Sequence, residues 1–290
     1  MRRLLSVWLL LLCIGCVYQD PPPDVTDLED RLFESRSSLS DFSYDLNSSL
    51  TLPFLTAFGR NPFASNIIDE TTNMVFLLPL VPGRPDSMVL QISNETESPA
   101  AMSIRLNDTV IGDLDMARGA VRARFRIDAR HWDRTLNSIR VSVTDGFGSL
   151  RVDNVWLLFD DSLDPEGLEP GNRFTGLVLI PANDNWVQAI FMPSESSLSF
   201  PVFLPEPEAF VHLNILADDP DAIIDMKLVT ARAFRYDTPL ESQIQIHGTE
   251  DWMPIRWDIS ERAGRHAALE LTNRGRSAVL IRNLSIRRGS

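Results

Sequence analysis

The sequence predicts an all-β protein, two tandem antiparallel β-sandwich domains behind a secretion signal and a flexible tether. Three observations predict it. Short runs rich in Val, Ile, Leu and Phe alternate apolar and polar residues with period two. Turn residues separate these runs, and helical periodicity is nearly absent. Six of the runs recur in the same order about 122 to 130 residues apart.

The chain opens with Met1-Arg2-Arg3 and an apolar stretch from Leu4 to Ile14, broken by Ser6. A charged start followed by about 7–15 apolar residues is the pattern of a secretory signal. It falls short of the roughly 20 apolar residues that a membrane-spanning helix needs. Both cysteines lie at its end, in Cys13-Ile14-Gly15-Cys16. This stretch resembles the lipobox of bacterial lipoproteins, with Cys13 standing where the family has leucine. The resemblance implies a signal peptide over residues 1–15, lipidation at Cys16, and a chain held at a membrane by its acyl groups. Two or more such chains anchor stably, at about 0.8 kcal/mol per buried CH₂. Val17, not Asp, follows the cysteine, which in this family implies the bacterial outer membrane.

A mature chain starting at Cys16 has no second thiol, which excludes disulfides, thiolate metal sites and a cysteine nucleophile. Net charge is −13, and losing Arg2 and Arg3 makes it −15. Such a chain repels phosphate backbones, so nucleic acid is excluded as a partner. Of 27 basic residues only Lys227 is lysine, a bias read as genome composition.

Residues 16–46 read as an acidic tether rich in Pro, Asp, Glu and Ser, with too little apolar surface to offset its ordering entropy. A short docking helix at Val25–Glu34 is the alternative.

The repeat sets the domains. "VFLLP" (75–79) aligns with "VFLP" (202–205), "MVLQI" (88–92) with "VHLNI" (211–215), and "SIRL" (103–106) with "DMKL" (225–228). "RFRID" (124–128) aligns with "PIRWD" (254–258), "RVSVT" (140–144) with "ALELT" (268–272), and "VDNVWL" (152–157) with "IRNLSI" (281–286). The two sandwiches are thus expected at 47–160 and 174–290, joined by an acidic linker at 161–173. Hard cations take carboxylate oxygens, so a structural Ca²⁺ in that acid run is conceivable; without a fixed ligand spacing, solvated charge is the preferred reading, and no cofactor is expected. "IRLNDTVIGDL" (104–114) reads as a hairpin turning at Asn107-Asp108.

The segments "IRLNDTVIG", "RFRID", "IRVSV" and "VDNVWL" resemble the galactose-binding-like jelly roll of carbohydrate-binding modules and glycoside hydrolase accessory domains. The second copy departs from that pattern, with "MKLVTARAF" in place of the Asn-turn hairpin. An immunoglobulin-like sandwich is the other architecture the pattern allows.

No motif reads as catalytic: Gly-x-Ser-x-Gly, His-Glu-x-x-His and phosphate-cradling loops are missing. His131, His212, His247 and His266 lie far apart in sequence. Trp257 alternates with Ile255 and reads as core of the second copy. Trp156 and Leu158 fall on the outward side of their strand, where the second copy has Ser285 and Arg287. An outward apolar pair marks an interface, with the other domain first, a protein partner second and a sugar platform third. Trp132, Trp186 and Trp252 are weaker loop-side candidates. The C-terminal arginines, Arg274 to Arg288, read as a charged strand edge. The functional expectation is a non-catalytic envelope lipoprotein that docks an envelope protein partner; the alternative is a glycan-binding surface lipoprotein, and a diverged hydrolase comes last.

Overall fold

A computed structural model describes residues 25–39, 41–48, 50–59, 66–78, 83–133, 137–160, 162–182, 185–217, 222–232, 235–246 and 251–289. Cys13, Cys16 and His247 lie outside the described residues.

In chain order the strands are β1 (Val25–Asp27), β2 (Arg36–Ser37), β3 (Asp41–Asp45), β4 (Leu55–Gly59), β5 (Ile67–Ile68), β6 (Thr72–Leu78), β7 (Ser87–Asn94), β8 (Ala100–Leu106), β9 (Thr109–Met116), β10 (Gly119–Arg126), β11 (Asn137–Gly146) and β12 (Leu150–Leu158). They continue as β13 (Gly176–Ala182), β14 (Asn185–Met192), β15 (Ser196–Phe203), β16 (Ala209–Ala217), β17 (Ala222–Arg232), β18 (Arg235–Tyr236), β19 (Leu240–Ile246), β20 (Met253–Asp258), β21 (His266–Asn273) and β22 (Val279–Arg288). Every pairing among them is antiparallel.

These strands form four sheets, two per sandwich. In the first sandwich the order is β10-β7-β12-β3 on one sheet and β4-β6-β11-β8-β9 on the other. The second gives β20-β16-β22-β14-β13 and β19-β17-β21-β15-β2. Strand by strand, β3 with β1, β5 with β14, β12 with β22, β7 with β16 and β10 with β20 hold the same places. So do β6 with β15, β11 with β21, β8 with β17 and β9 with β19. The chain alternates between facing sheets in the double Greek-key order of a jelly roll. The repeat read from sequence is therefore a repeat of topology. Register moves one segment: Arg124 lies opposite Val89 and Arg256 opposite His212, so Arg124, not Arg126, is the counterpart of Arg256.

The alternation that predicts strands is what buries the core. On β16, Ala209, Val211, Leu213, Ile215 and Ala217 are buried while the residues between them are half-exposed. Each large apolar side chain removed from water contributes about 1.5–3 kcal/mol. The hairpin at Asn107-Asp108 forms as expected: Leu106 pairs with Thr109, and Asn107 has φ 54°. Asparagine tolerates this left-handed conformation. Its carboxamide also accepts from the Ser138 N–H at 2.9 Å and donates to the His131 carbonyl at 2.9 Å, tying the turn to the neighbouring strand. In the second copy β17 instead runs on to Arg232, and the chain returns first as β18, pairing Ala231 with Tyr236, and then as β19.

The tether expected over residues 16–46 requires correction. From Val25 onward that segment is folded. β1 pairs with β22 and β2 with β15, so residues 25–38 belong to the second sandwich, and Leu28 and Leu32 are fully buried in its core, whereas Leu39 already packs in the first. Then β3 pairs with β12 and places Phe42, Tyr44 and Leu46 in the first core. A composition average understated the segment because its strand partners come from distant sequence. The helix considered at Val25–Glu34 is a strand followed by a single 3-10 turn, Leu32–Glu34.

Glu29 marks how this segment docks. Its carboxylate accepts from the Leu284 N–H at 3.2 Å, and burial pushes its pKa from 4.5 up to about 7. The folded state therefore holds a proton that the unfolded chain releases. The stability this confers is complete below pH 4.5 and is lost as pH rises through about 7. Glu29→Gln should raise the melting temperature at pH 8, leave it unchanged at pH 4, and flatten the dependence between them.

Candidate binding faces

Trp156 and Leu158 do point outward from their strand, yet both are fully buried. Their cover is neither the second domain nor a ligand. The connecting stretch folds back over them, and Val89, Trp156, Leu158, Leu168 and Leu163 form a separate apolar cluster. The indole Nε1 donates to the Glu169 carbonyl at 3.0 Å. Arg122 lies over the ring, 5.0 Å from its centroid, and donates to the carbonyls of Pro165 (2.9 Å), Glu166 (3.1 Å) and Leu168 (2.8 Å). Arg124 donates to the Leu163 carbonyl. The stretch expected as a linker at 161–173 is thus also a strap held by two arginines and an indole, which corrects the reading of Trp156 and Leu158 as partner- or ligand-binding residues. Its acids close turns: Asp160 accepts from the Ser162 N–H and Asp164 from the Glu166 N–H. Among the described residues no three His, Cys, Asp or Glu side chains converge to hold a metal ion.

Trp132, the third candidate, is 5% exposed and donates to the Pro85 carbonyl at 2.8 Å, so it closes the first core and is not available to a ligand. Trp257 packs on the second core, as its alternation with Ile255 predicts. Trp252 is half-buried under the Arg282 guanidinium, 4.3 Å from its ring centroid. Trp186 alone of the described tryptophans is open to solvent, at 62%. His131, His212 and His266 sit on separate elements and do not converge.

Two open polar faces of the second sandwich bear on binding. The first is the outer side of the sheet β19-β17-β21-β15-β2, where a groove of about 510 Å³ is lined by Asp225, Lys227, Glu241, Gln243, Glu270, Thr272 and Arg274. Sheet register explains the lining. One rung across the sheet reads Gln243–Asp225–Thr272–Ser197, and the next Glu241–Lys227–Glu270–Ser199–Arg36. Polar residues alternate with the buried Met226 and Leu228, or Leu269 and Leu271, along each strand. The sole lysine stands mid-rung between two glutamates, its Nζ 3.9 Å from Glu241 Oε1. Arg274 pairs with Asp225, which also accepts from Gln243 at 2.8 Å. Sequence reading missed this face. Its signal was the outward row Asp225, Lys227, Val229 in a strand otherwise apolar.

The second face lies on the outer side of the other sheet, where His212, Asn214, Pro254, Arg256, Asn283 and Arg287 line a groove of about 240 Å³. The β22 strand bulges here, with Asn283 at φ 55°. Burial, with Arg287 and Arg256 nearby, holds the His212 pKa below its ordinary value.

No protein-family model matches the chain, and no curated protein is similar to it in sequence. Among solved structures it is similar to the tandem CBM22-1–CBM22-2 domain of Paenibacillus barcinonensis Xyn10C, at 11% identity and TM-score 0.31, covering 88% of this chain and 100% of that one. It is also similar to the Clostridium perfringens ZmpB M60 catalytic domain with its CBM51-1 and CBM51-2 domains. There identity is 8%, TM-score 0.24, and coverage 91% of this chain and 38% of that one. A third is the Listeria monocytogenes cycloalternan-forming enzyme, at 10% identity and TM-score 0.27, covering 79% of this chain and 20% of that one.

Proposed function

We propose that this protein is a non-catalytic, lipid-anchored glycan-binding module of a bacterial cell envelope, and that the face around Lys227 is its binding surface. The observation that carries the reading is the open groove of carboxylates, amide, hydroxyl and cations laid across β19, β17 and β21 of the second jelly roll. A sugar hydroxyl both donates and accepts. Asp225, Glu241 and Glu270 accept, Lys227 and Arg274 donate, and Gln243 and Thr272 do both. These groups stand on a sheet, so their spacing is fixed before a ligand arrives, which lowers the cost of binding.

The anchor in this reading is Cys16, by resemblance to the lipobox. Nine peptide steps separate Cys16 from Val25, a reach of at most about 30 Å. The second jelly roll, which Val25 joins, then stands close to the bilayer of the outer membrane. Incorporation of labelled palmitate by wild type, and its loss in Cys16→Ser, is the expected result.

Affinity electrophoresis through a panel of polysaccharides tests the binding face. At least one glycan should retard the wild-type protein, and Lys227→Ala or Glu270→Gln should weaken that retardation at least about tenfold, equivalent to about 1.4 kcal/mol. Retardation by none of the glycans, or equal retardation of both variants, refutes the reading. The second reading, a structural component of an envelope assembly, draws on the cationic face of the same domain.

A further inference from the structure

We propose that the groove between Arg256 and Arg287 docks an extended acidic peptide segment of a partner protein, in the way the first jelly roll holds its own acidic strap. The two copies supply the comparison internally. In the first, one rung reads Arg124–Val89–Trp156–Ser43; in the second the same rung reads Arg256–His212–Ser285–Asp27. The next rung holds Leu158 between Ser87 and Asp41 in the first copy, and Arg287 between Phe210 and Val25 in the second.

In the first copy this face is occupied. Residues 162–172 run over it with a single 3-10 turn at Pro165–Gly167, and Arg122 and Arg124 donate to the strap's main-chain carbonyls. In the second copy the arginine at the same place, Arg256, lies 3.9 Å from the Phe210 ring centroid. Among the described residues its guanidinium makes no hydrogen bond or ion pair. The nearest acid on its own strand, Asp258, shares its face and feels its charge, and is engaged by the Ser260 N–H (2.9 Å) and hydroxyl (2.6 Å). Arg287 uses Nε on the Ser285 hydroxyl at 3.1 Å. None of the groove's lining residues is a carboxylate; at its edge Asp27, on the same rung, accepts from the Glu29 N–H (3.0 Å), and Glu29 accepts from the Leu284 N–H (3.2 Å).

The floor has changed in the same sense. Where the first copy offers Trp156, Leu158 and Val89 to the leucines of its strap, the second offers Arg287 and His212, with Ser285 buried beneath and bonded to Arg287. The occupant that fits is extended, acidic and poor in large apolar residues. Guanidinium groups bind carboxylates and main-chain carbonyls alike, with charge-assisted bonds to the former. Asn214 and Asn283 add amide donors and acceptors at the floor and at the bulge.

The probe is a fluorescein-labelled dodecapeptide of repeating Glu-Pro-Asp-Gly, followed by fluorescence anisotropy at low salt with the full folded chain. Saturable binding is expected, weakened at least about tenfold by Arg256→Gln and by Arg287→Gln and unchanged by Arg130→Ala, a remote exposed arginine. Both groove arginines are exposed, so circular dichroism and melting temperature should match wild type. Binding that Arg256→Gln leaves intact overturns the proposal. So does failure to bind the peptide, including the case in which soluble polygalacturonate binds this groove in its place. The glycan face is scored separately, because Lys227→Ala should bind the peptide as wild type does.

Discussion

Replacing Trp156 by alanine is expected to destabilise the first jelly roll by about 3–5 kcal/mol, the range for truncating a buried tryptophan, and to lower its melting temperature by on the order of 10 °C. The side chain is fully buried although it stands on the outer face of its sheet. Its removal takes the floor from under Leu163 and Leu168, deletes the donor to the Glu169 carbonyl, and leaves Arg122 without the ring it covers. Arg122→Ala separates two consequences. It removes three bonds to main-chain carbonyls of a surface segment, groups that water can satisfy once the strap lifts. Limited proteolysis should therefore cut Arg122→Ala within residues 160–172 well below its melting temperature, while the rest of the domain melts close to wild type. Trp156→Ala should be cut at the same place and should also melt early. A Trp156→Ala protein within 1 kcal/mol of wild type would mean the strap contributes nothing to the fold.

The strap also shows where sequence stops being informative. That Trp156 faces away from the core follows from period two, since Val155 and Leu157 take the inner side. What covers it does not follow, because the cover is a stretch whose acids advertise solvent and whose two leucines are too few to form a pattern. The same averaging hid the N-terminal strands. "DFSYDL" alternates Phe42, Tyr44 and Leu46 with Asp41, Ser43 and Asp45, a strand pattern inside a segment whose overall composition reads as tether. Residues 25–27 carry no such pattern and form a strand only because β22 supplies the ladder. Pairing partners that are hundreds of residues apart cannot be read from a window. The repeat succeeded where windows failed, since six segments in fixed order constrain topology and not only local conformation. The polar face around Lys227 was visible as outward residues of "DMKLV", but its assembly needs register across β19, β17, β21 and β15, which only coordinates provide.

Phe174→Ala is expected to uncouple the two jelly rolls at a cost of about 3–5 kcal/mol. Phe174 is fully buried just after the strap and before β13. Its ring stacks on Tyr44 of the first sandwich, centroids 4.6 Å apart, and lies 4.9 Å from Phe191 of the second. Val178, Ile180, Ala189 and Phe191, on the outer side of β13 and β14, join the first core, whereas Ile190 and Met192 belong to the second. The β13–β14 hairpin thus has a core on each face, and Phe174 is wedged where the first of them closes. Such aromatic pairs contribute about 0.5–1.5 kcal/mol beyond area burial, so alanine loses two of them and leaves a cavity. Wild type should unfold in one calorimetric transition; Phe174→Ala should show two, with the β13–β14 amides exchanging early. Tyr44→Phe is the control that isolates the ring. The Tyr44 hydroxyl is buried with no hydrogen-bond partner among the described residues, and burial pushes its pKa upward. Deleting that oxygen removes an unsatisfied polar group while keeping the stack, so Tyr44→Phe should melt at or above wild type. If Phe174→Ala still unfolds in a single transition near the wild-type temperature, the coupling resides in the N-terminal strands that join both sandwiches and not in this aromatic contact.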